Sequence, residues 1–254
     1  METVRKPFQG VVNIIRFNWH FYAIAFGLLI VALTVNLWLF PEYLFYGGLI
    51  LSLTLFLMLI SLVISYYVYD ASHLYKLTWL DGIKLPKNAT IINIHAGFDE
   101  TSLLLQQKYP DCTLQEFDFY DPQKHTEVSI KRARKAYPPY SGTKAVQTDH
   151  IPLENDSVDA IFLLLSAHEI RNRDERKNFL RALHRILKVN GNIVLVEHLR
   201  DSANFAAYTI GFFHFFSRKS WKNIVAQANF QVREEFKITP FLTTFILTKN
   251  GTTS

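Results

Sequence analysis

The sequence predicts a doubly wound α/β domain built on a mostly parallel sheet, preceded by an apolar two-helix hairpin. Three observations predict it. No Asp, Glu, Lys or Arg falls between Arg16 and Glu42, and none between Glu42 and Asp70. Charges return after Asp70, where apolar residues come only in short runs. From residue 89 onward, short β-type runs alternate with helical segments, as in strands joined by crossover helices.

Each charge-free segment is longer than the roughly 20 apolar residues that cross a bilayer core. The first span is expected at about Trp19–Phe40 and the second at about Leu44–Tyr69. Pro41-Glu42-Tyr43 leaves room only for a tight turn, so the helices are antiparallel and both ends of the hairpin face one compartment. Arg5, Lys6 and Arg16 precede the hairpin, Lys76, Lys84 and Lys87 follow it, and the turn carries only Glu42. This asymmetry puts the soluble domain and both termini of a two-span, multi-pass membrane protein in the cytoplasm. Trp19, Tyr22, Trp38, Tyr43, Tyr46, Tyr66, Tyr67 and Tyr69 gather near the span ends, as interfacial aromatics do. The first stretch is too long for the apolar region of a signal peptide. Neither stretch has a polar face of helical period, which argues against buried core helices. The chain thus divides into a transmembrane hairpin at 1–70, a linker at 71–88 and a globular domain at 89–254.

The net charge of +5 comes without a Lys/Arg stripe interleaved with aromatics, so nucleic acid is not an expected partner. Attraction to the anionic lipid of the bilayer accounts for it more simply. A single cysteine, Cys112, excludes an internal disulfide and a cysteine zinc cluster. The oligomeric state is left open.

Within the globular domain, Ala89–Ile94 reads as a buried strand and Asp99–Tyr109 as a helix. Thr113–Asp118 is a second strand, and His125–Tyr137 a basic helix stopped by Pro138-Pro139. Lys144–Gln147 is a short third strand, and Val158–Leu165 a fourth with an apolar run long enough for burial on both faces. Phe179, Leu180, Leu183, Ile186 and Leu187 recur at helical spacing, which predicts an amphipathic helix over Arg173–Lys188. Asn190-Gly191 is expected to end it, with Gly191 left-handed. Asn192–Glu197 is a fifth strand, and Phe230–Phe236 with Phe241–Lys249 form a closing antiparallel pair. Sheets of this kind bind ligands at the carboxyl ends of their strands, beside the switch in strand order. That rule selects residues 93–100, 118–121, 149, 166–171 and 197–204.

The block Asp149-His-Ile-Pro-Leu-Glu-Asn-Asp-Ser-Val-Asp159-Ala-Ile-Phe, a helix, and then Leu187-Lys-Val-Asn-Gly191-Asn-Ile-Val-Leu-Val-Glu197 resembles the class I S-adenosylmethionine-dependent methyltransferases. It is most similar to their type 11 branch, which includes ubiquinone and menaquinone biosynthesis enzymes. The resemblance implies a Rossmann-like, seven-stranded sheet and S-adenosylmethionine as cofactor. The family's first loop reads acid-x-Gly-x-Gly-x-Gly, whose glycines let backbone approach the cofactor. Here it reads Asn93-Ile-His95-Ala-Gly97-Phe-Asp99: Gly97 is kept, while Asn93, His95 and Asp99 stand where the family has an acid and two glycines. Asp99 can equally cap the helix that follows. The resemblance places Asp118 at the ribose hydroxyls, where a carboxylate accepts well from both, and Asp149 near the adenine amino group. Ser166 follows the fourth strand beside the cofactor and acceptor.

In Ser166-Ala-His168-Glu169-Ile-Arg171, His168 can deprotonate or orient a hydroxyl, or simply begin a helix. Glu169 can do the same for an amine or hold a cofactor ammonium. Transfer from a sulfonium needs little beyond proximity and alignment, so a general base is not essential. Asn204–Phe216 is nearly uncharged and rich in aromatics, which suits a core helix, a lid over an apolar substrate or a patch at the membrane surface. With the anchor, it points to a lipophilic small molecule as acceptor. The competing expectation is a catalytically silent domain of the same fold that scaffolds a partner at the membrane. A nicotinamide-dependent oxidoreductase is disfavoured because the first loop lacks the dinucleotide fingerprint.

Overall fold

The computed structural model describes residues 5–251. Seven strands form one sheet: β1 (Thr90–His95), β2 (Thr113–Asp118), β3 (Lys144–Ala145), β4 (Val158–Leu164), β5 (Leu187–His198), β6 (Phe230–Thr239) and β7 (Leu242–Lys249). Their order is β3-β2-β1-β4-β5-β7-β6. The first five run parallel, and β7 lies antiparallel between β5 and β6. The order reverses between β1 and β4, so their carboxyl ends open a crevice. Helices cover both faces, which is why Ile91–Ile94 and Ala160–Leu163 are wholly buried apolar runs interrupted only by Asn93.

The crossover elements are α3 (Ser102–Lys108), α4 (Val128–Ala136) and α5 (Arg173–Ile186). After β5 come α6 (Ser202–Tyr208), a 3₁₀ stretch over Thr209–His214 and α7 (Arg218–Gln227). The aromatic run is therefore not one helix: Thr209, at φ 49°, breaks it. The helix end expected at Gly191 is also corrected. α5 stops at Ile186, and Leu187 is already extended at ψ 134°. Gly191 lies inside β5, where a Cβ would stand 3.0 Å from the Asp159 carbonyl. A close approach of β4, not a left-handed turn, requires glycine there.

The hairpin is α1 (Gln9–Leu39) and α2 (Leu44–Tyr66), the latter running on through a π-helical turn over Tyr67–Ala71. α1 kinks at Asn18, whose side chain donates to the Ile14 carbonyl at 3.0 Å. Below the kink, α1 packs on the globular domain. Arg132 of α4 donates to the Phe17 carbonyl at 2.7 Å, Tyr137 donates to Asn13 at 3.0 Å, and Phe17 packs edge-on against Phe98. Above the kink, apolar side chains such as Phe26, 61% exposed, and Ile50, 63% exposed, point outward. Both helices are long and apolar enough to cross a membrane.

The two ends of the hairpin hold each other. Asp70 accepts from Gly10 N at 2.7 Å and Val11 N at 2.8 Å, satisfying amides of the first turn of α1. A Cβ on Gly10 would collide with Tyr69, so glycine permits this contact. Glu100 then ties the base to the loop after β1, accepting from Arg5 at 2.6 Å, Gln9 at 3.2 Å and Tyr75 at 2.7 Å. Residues 71–88 are not a free tether: Leu77 and Leu80 are buried in the layer that holds Ile91 and Phe162.

Candidate active site

Two recesses lie at the carboxyl edge of the sheet. The smaller, about 550 Å³, is polar and lined by Lys124, Thr148, Asp149 and Glu175 among others. The larger, about 920 Å³, lies between the sheet edge and the hairpin. Its floor includes His95, His168, Glu169 and His198, and its walls climb past Ser65 and Ser61 to Thr54 and Leu28 between the two apolar helices.

The loop after β1 is shaped by local hydrogen bonds. Asn93 donates to Asp99, Thr101 and Ser102, and Asp99 accepts from Thr101 N at 2.8 Å and Ser102 N at 3.0 Å. Asn93 and Asp99 thus organise the start of α3. Gly97 sits at φ +84°, a conformation that favours glycine. His95 Nδ1 accepts from Gly97 N at 3.2 Å, which leaves the ring proton on Nε2. That nitrogen and Asp99 Oδ2 are buried without hydrogen-bond partners, 3.9 Å apart. Burial lowers the His95 pKa against the opposing pull of Asp99 and Asp118, so the ring is neutral. Ser166 donates to the Ile94 carbonyl at 2.8 Å and pins β4 to β1 at the crevice.

Asp118 ends β2, as expected, and accepts from Tyr120 N at 2.8 Å. Its other oxygen is ion-paired with Arg134 of α4, and the Arg134 side chain lies over Gly97. Asp149 is exposed at the polar recess, away from the larger cavity.

His168 and Glu169 fall in a 3₁₀ turn after β4. His168 Nδ1 bonds Glu197 Oε2 at 2.7 Å, and its backbone N–H donates to Glu197 Oε1 at 3.1 Å. Its Nε2 lies 3.4 Å from Glu169. Burial pulls the His168 pKa down, but Glu197 and Glu169 outweigh it and push the value up to about 10. Glu169 is held below the usual carboxylate range: burial would raise it, but His168, then His214 and Arg171, lower it further. A protonated His168 is a poor general base, so its first role in this arrangement is to hold charge and geometry. His214 stands edge-on to His168 with ring centroids 5.2 Å apart. Burial, then His168, brings its pKa down to about 4.

His198 completes the floor. It donates from Nδ1 to Asn204 at 3.0 Å and accepts at Nε2 from the Tyr69 hydroxyl at 2.8 Å, joining the sheet to the hairpin. Sequence reasoning placed His168, Glu169, Glu197 and His198 near the pocket but missed His214, Arg134 and Tyr69. Their contacts span 46 residues from His168, 16 from Asp118 and 129 from His198, and no local spacing marks such pairs.

Comparison with known proteins agrees with this fold. Residues 120–195 match the family model described as a methyltransferase domain. A crystal structure of an S-adenosylmethionine-dependent methyltransferase from Aquifex aeolicus superposes with TM-score 0.50 at 16% identity, over 71% of this chain and 94% of that one. A protein from Pyrococcus horikoshii OT3 superposes with TM-score 0.53 at 11% identity, over 73% and 92%. No curated protein matches the sequence. The sheet order and the crevice give the globular domain the fold of S-adenosylmethionine-dependent methyltransferases, and residues 120–195 carry the match to a methyltransferase domain.

The residues present fit that cofactor with one competitor. Asp118 stands at the end of β2, and the buried, unpartnered His95 Nε2 and Asp99 Oδ2 offer one donor and one acceptor beside Gly97. Against these, Arg134 occupies the approach to Gly97 and neutralises Asp118. The obstruction comes from the far end of a flexible, part-exposed side chain, so binding requires Arg134 to move but no change of backbone.

Proposed function

We propose that this chain is a membrane-anchored S-adenosylmethionine-dependent methyltransferase that takes a lipophilic acceptor from the bilayer. The observation that carries the reading is the continuous cavity from His168 and His198 to Leu28 and Thr54. Leu28 lies ten residues beyond the Asn18 kink, about 15 Å along the helix axis, within the segment whose apolar side chains face outward. Such an outward apolar surface is costly in water and favourable in lipid. A cavity roofed by lipid-facing helices and floored by polar side chains suits a molecule with an apolar body and one polar end.

Asp118, Asp149, His95 and Asp99 would hold the cofactor, which supplies an electrophilic sulfonium methyl group. Tyr69, His198 and the 209–215 stretch shape the acceptor end and exclude water. The test is turnover in liposomes with methyl-labelled S-adenosylmethionine and extracted lipid as acceptor. Label should enter the organic phase. Leu28→Trp, which fills the upper cavity, should reduce that incorporation severalfold while cofactor affinity stays unchanged. Label found only on water-soluble acceptors would sink the lipophilic assignment.

The Arg134–Asp118 pair favours a second reading, a silent domain that serves as a scaffold. Isothermal titration separates the two, since a scaffold would show no binding of S-adenosylmethionine or S-adenosylhomocysteine even with Arg134 replaced.

A further inference from the structure

The cavity floor carries a cluster that methyl transfer does not itself require. His168, Glu169 and His214 each offer one ligand atom, and those atoms lie within 4.8 Å of one another. Glu169 is only 5% exposed, and its Oε2 has no hydrogen-bond partner. An unpartnered carboxylate oxygen at such depth is costly unless a cation or donor meets it. The orientation of His168 is set from behind: Nδ1 is engaged by Glu197 at 2.7 Å, which leaves Nε2 facing Glu169 and His214. A carboxylate behind one imidazole nitrogen, with the other turned toward the cluster, is the arrangement that orients a metal-bound histidine, and the ion would displace the proton that Nε2 carries toward Glu169. The turns bearing the other groups are also braced, because Arg171 donates to the carbonyls of both His168 and His214 at 3.3 and 2.6 Å. Glu127, 3.6 Å from His214, lines the same cavity and can act as a further oxygen donor or hold the His214 ring.

We propose that His168, Glu169 and His214 bind one divalent transition-metal ion of the zinc class at the floor of the cavity. Two imidazole nitrogens and one carboxylate oxygen suit Zn²⁺, Co²⁺ or Fe²⁺ better than Mg²⁺ or Ca²⁺, which prefer all-oxygen shells. Three protein ligands leave a coordination position open toward the cavity. The ligand for that position is the oxygen of a lipophilic hydroxyl or carbonyl compound. This last assignment rests on the acceptor reading above, whereas the metal site does not.

The test uses the full chain in detergent micelles, stripped with chelator and titrated with Co²⁺ alone, then with Zn²⁺. One equivalent of Co²⁺ should give visible d–d absorption that Zn²⁺ abolishes. His214→Ala, a change at a part-exposed ring, should weaken Co²⁺ binding at least tenfold, and Glu169→Gln should do the same. Glu197→Gln should weaken it by about tenfold, as loss of an orienting partner does. His150→Ala, at an exposed position outside the cluster, should leave binding unchanged. Thermal unfolding of each variant separates loss of ligand from loss of fold. No stoichiometric band in the wild type, or equal affinity in a folded His214→Ala variant, overturns the proposal. Co²⁺ binding without methyl transfer would retain the site and discard the acceptor assignment; methyl transfer without Co²⁺ binding would do the reverse.

Discussion

Arg134 pairs with Asp118 and covers Gly97, so the proposed cofactor binding turns on it. In the proposed function the ribose hydroxyls would compete with Arg134 for Asp118, whose Oδ2 the guanidinium holds, so removing Arg134 should help the cofactor. Arg134→Gln should tighten S-adenosylmethionine binding severalfold in isothermal titration. Asp118→Ala should weaken binding by roughly one to two decades, the equivalent of losing about 1.5–3 kcal/mol of charge-assisted hydrogen bonding. Asp121→Ala should do little, because its carboxylate serves the turn at Gln123 and a loose pair with Lys124. Equal effects at Asp118 and Asp121 would remove the ribose assignment. Asp118 was legible because strand ends announce themselves through the change from β-type to turn residues. Its occupation by Arg134 was not, since no local pattern tells which way a long basic side chain on α4 will fold back.

At the scale of elements, the joint between hairpin and sheet is a short list of polar contacts, and each can be broken separately. Asp70→Ala removes two hydrogen bonds to the first turn of α1 and should cost about 1–2 kcal/mol in detergent unfolding, as loss of a helix cap does. His198 makes the same joint sensitive to pH. Burial holds its pKa down to about 4, well under the ordinary histidine value of 6.5. Because the folded value is lowered, the contribution of neutral His198 is whole above about pH 6.5 and is lost as pH falls toward 4. Protonation would also take Nε2 from the Tyr69 hydroxyl as an acceptor. Melting temperature should therefore fall on acidification from pH 7 to 4.5, and less steeply in His198→Gln. An identical slope in the variant would assign the acid sensitivity elsewhere. The strands and helices themselves were mostly legible, because buried parallel strands are continuous apolar runs. The helix expected to end at Gly191 was misread. The Asn-Gly pair has the composition of a cap, but β4 needed that glycine for a close approach.

At the scale of the whole molecule, the hairpin is a wall of the cavity and, in the proposed function, an anchor as well. Its lower turns carry Phe17, Tyr69 and Gly10 into the cavity lining. Deleting residues 1–70 should therefore do more than remove the protein from the bilayer. It should expose the floor around His198 and abolish turnover on bilayer-embedded acceptors, while cofactor binding through Asp118 persists in part. Full turnover by the truncated domain would show that the hairpin serves location alone. The proposed topology has its own test: labelling of cysteines placed at residues 6 and 85, in a Cys112→Ser background, should report the same, cytoplasmic side. Labelling from opposite sides would sink the hairpin arrangement. Cys112 is itself buried with its thiol pKa raised by that burial, so it should alkylate slowly in the native chain.

Composition and period by themselves determined the two apolar helices and the alternation of strand and helix, while the methyltransferase reading of residues 149–197 came from a motif resemblance. Each depends on interactions between residues close in the chain, or on the solvent a segment requires. Tertiary structure decided the rest. It folded the hairpin onto the carboxyl edge of the sheet, set Arg134 on Asp118, and brought His214 to His168 and Tyr69 to His198. Those pairs are fixed by how helices and loops from distant parts of the chain share a small space, and that geometry exists only once the sheet has formed.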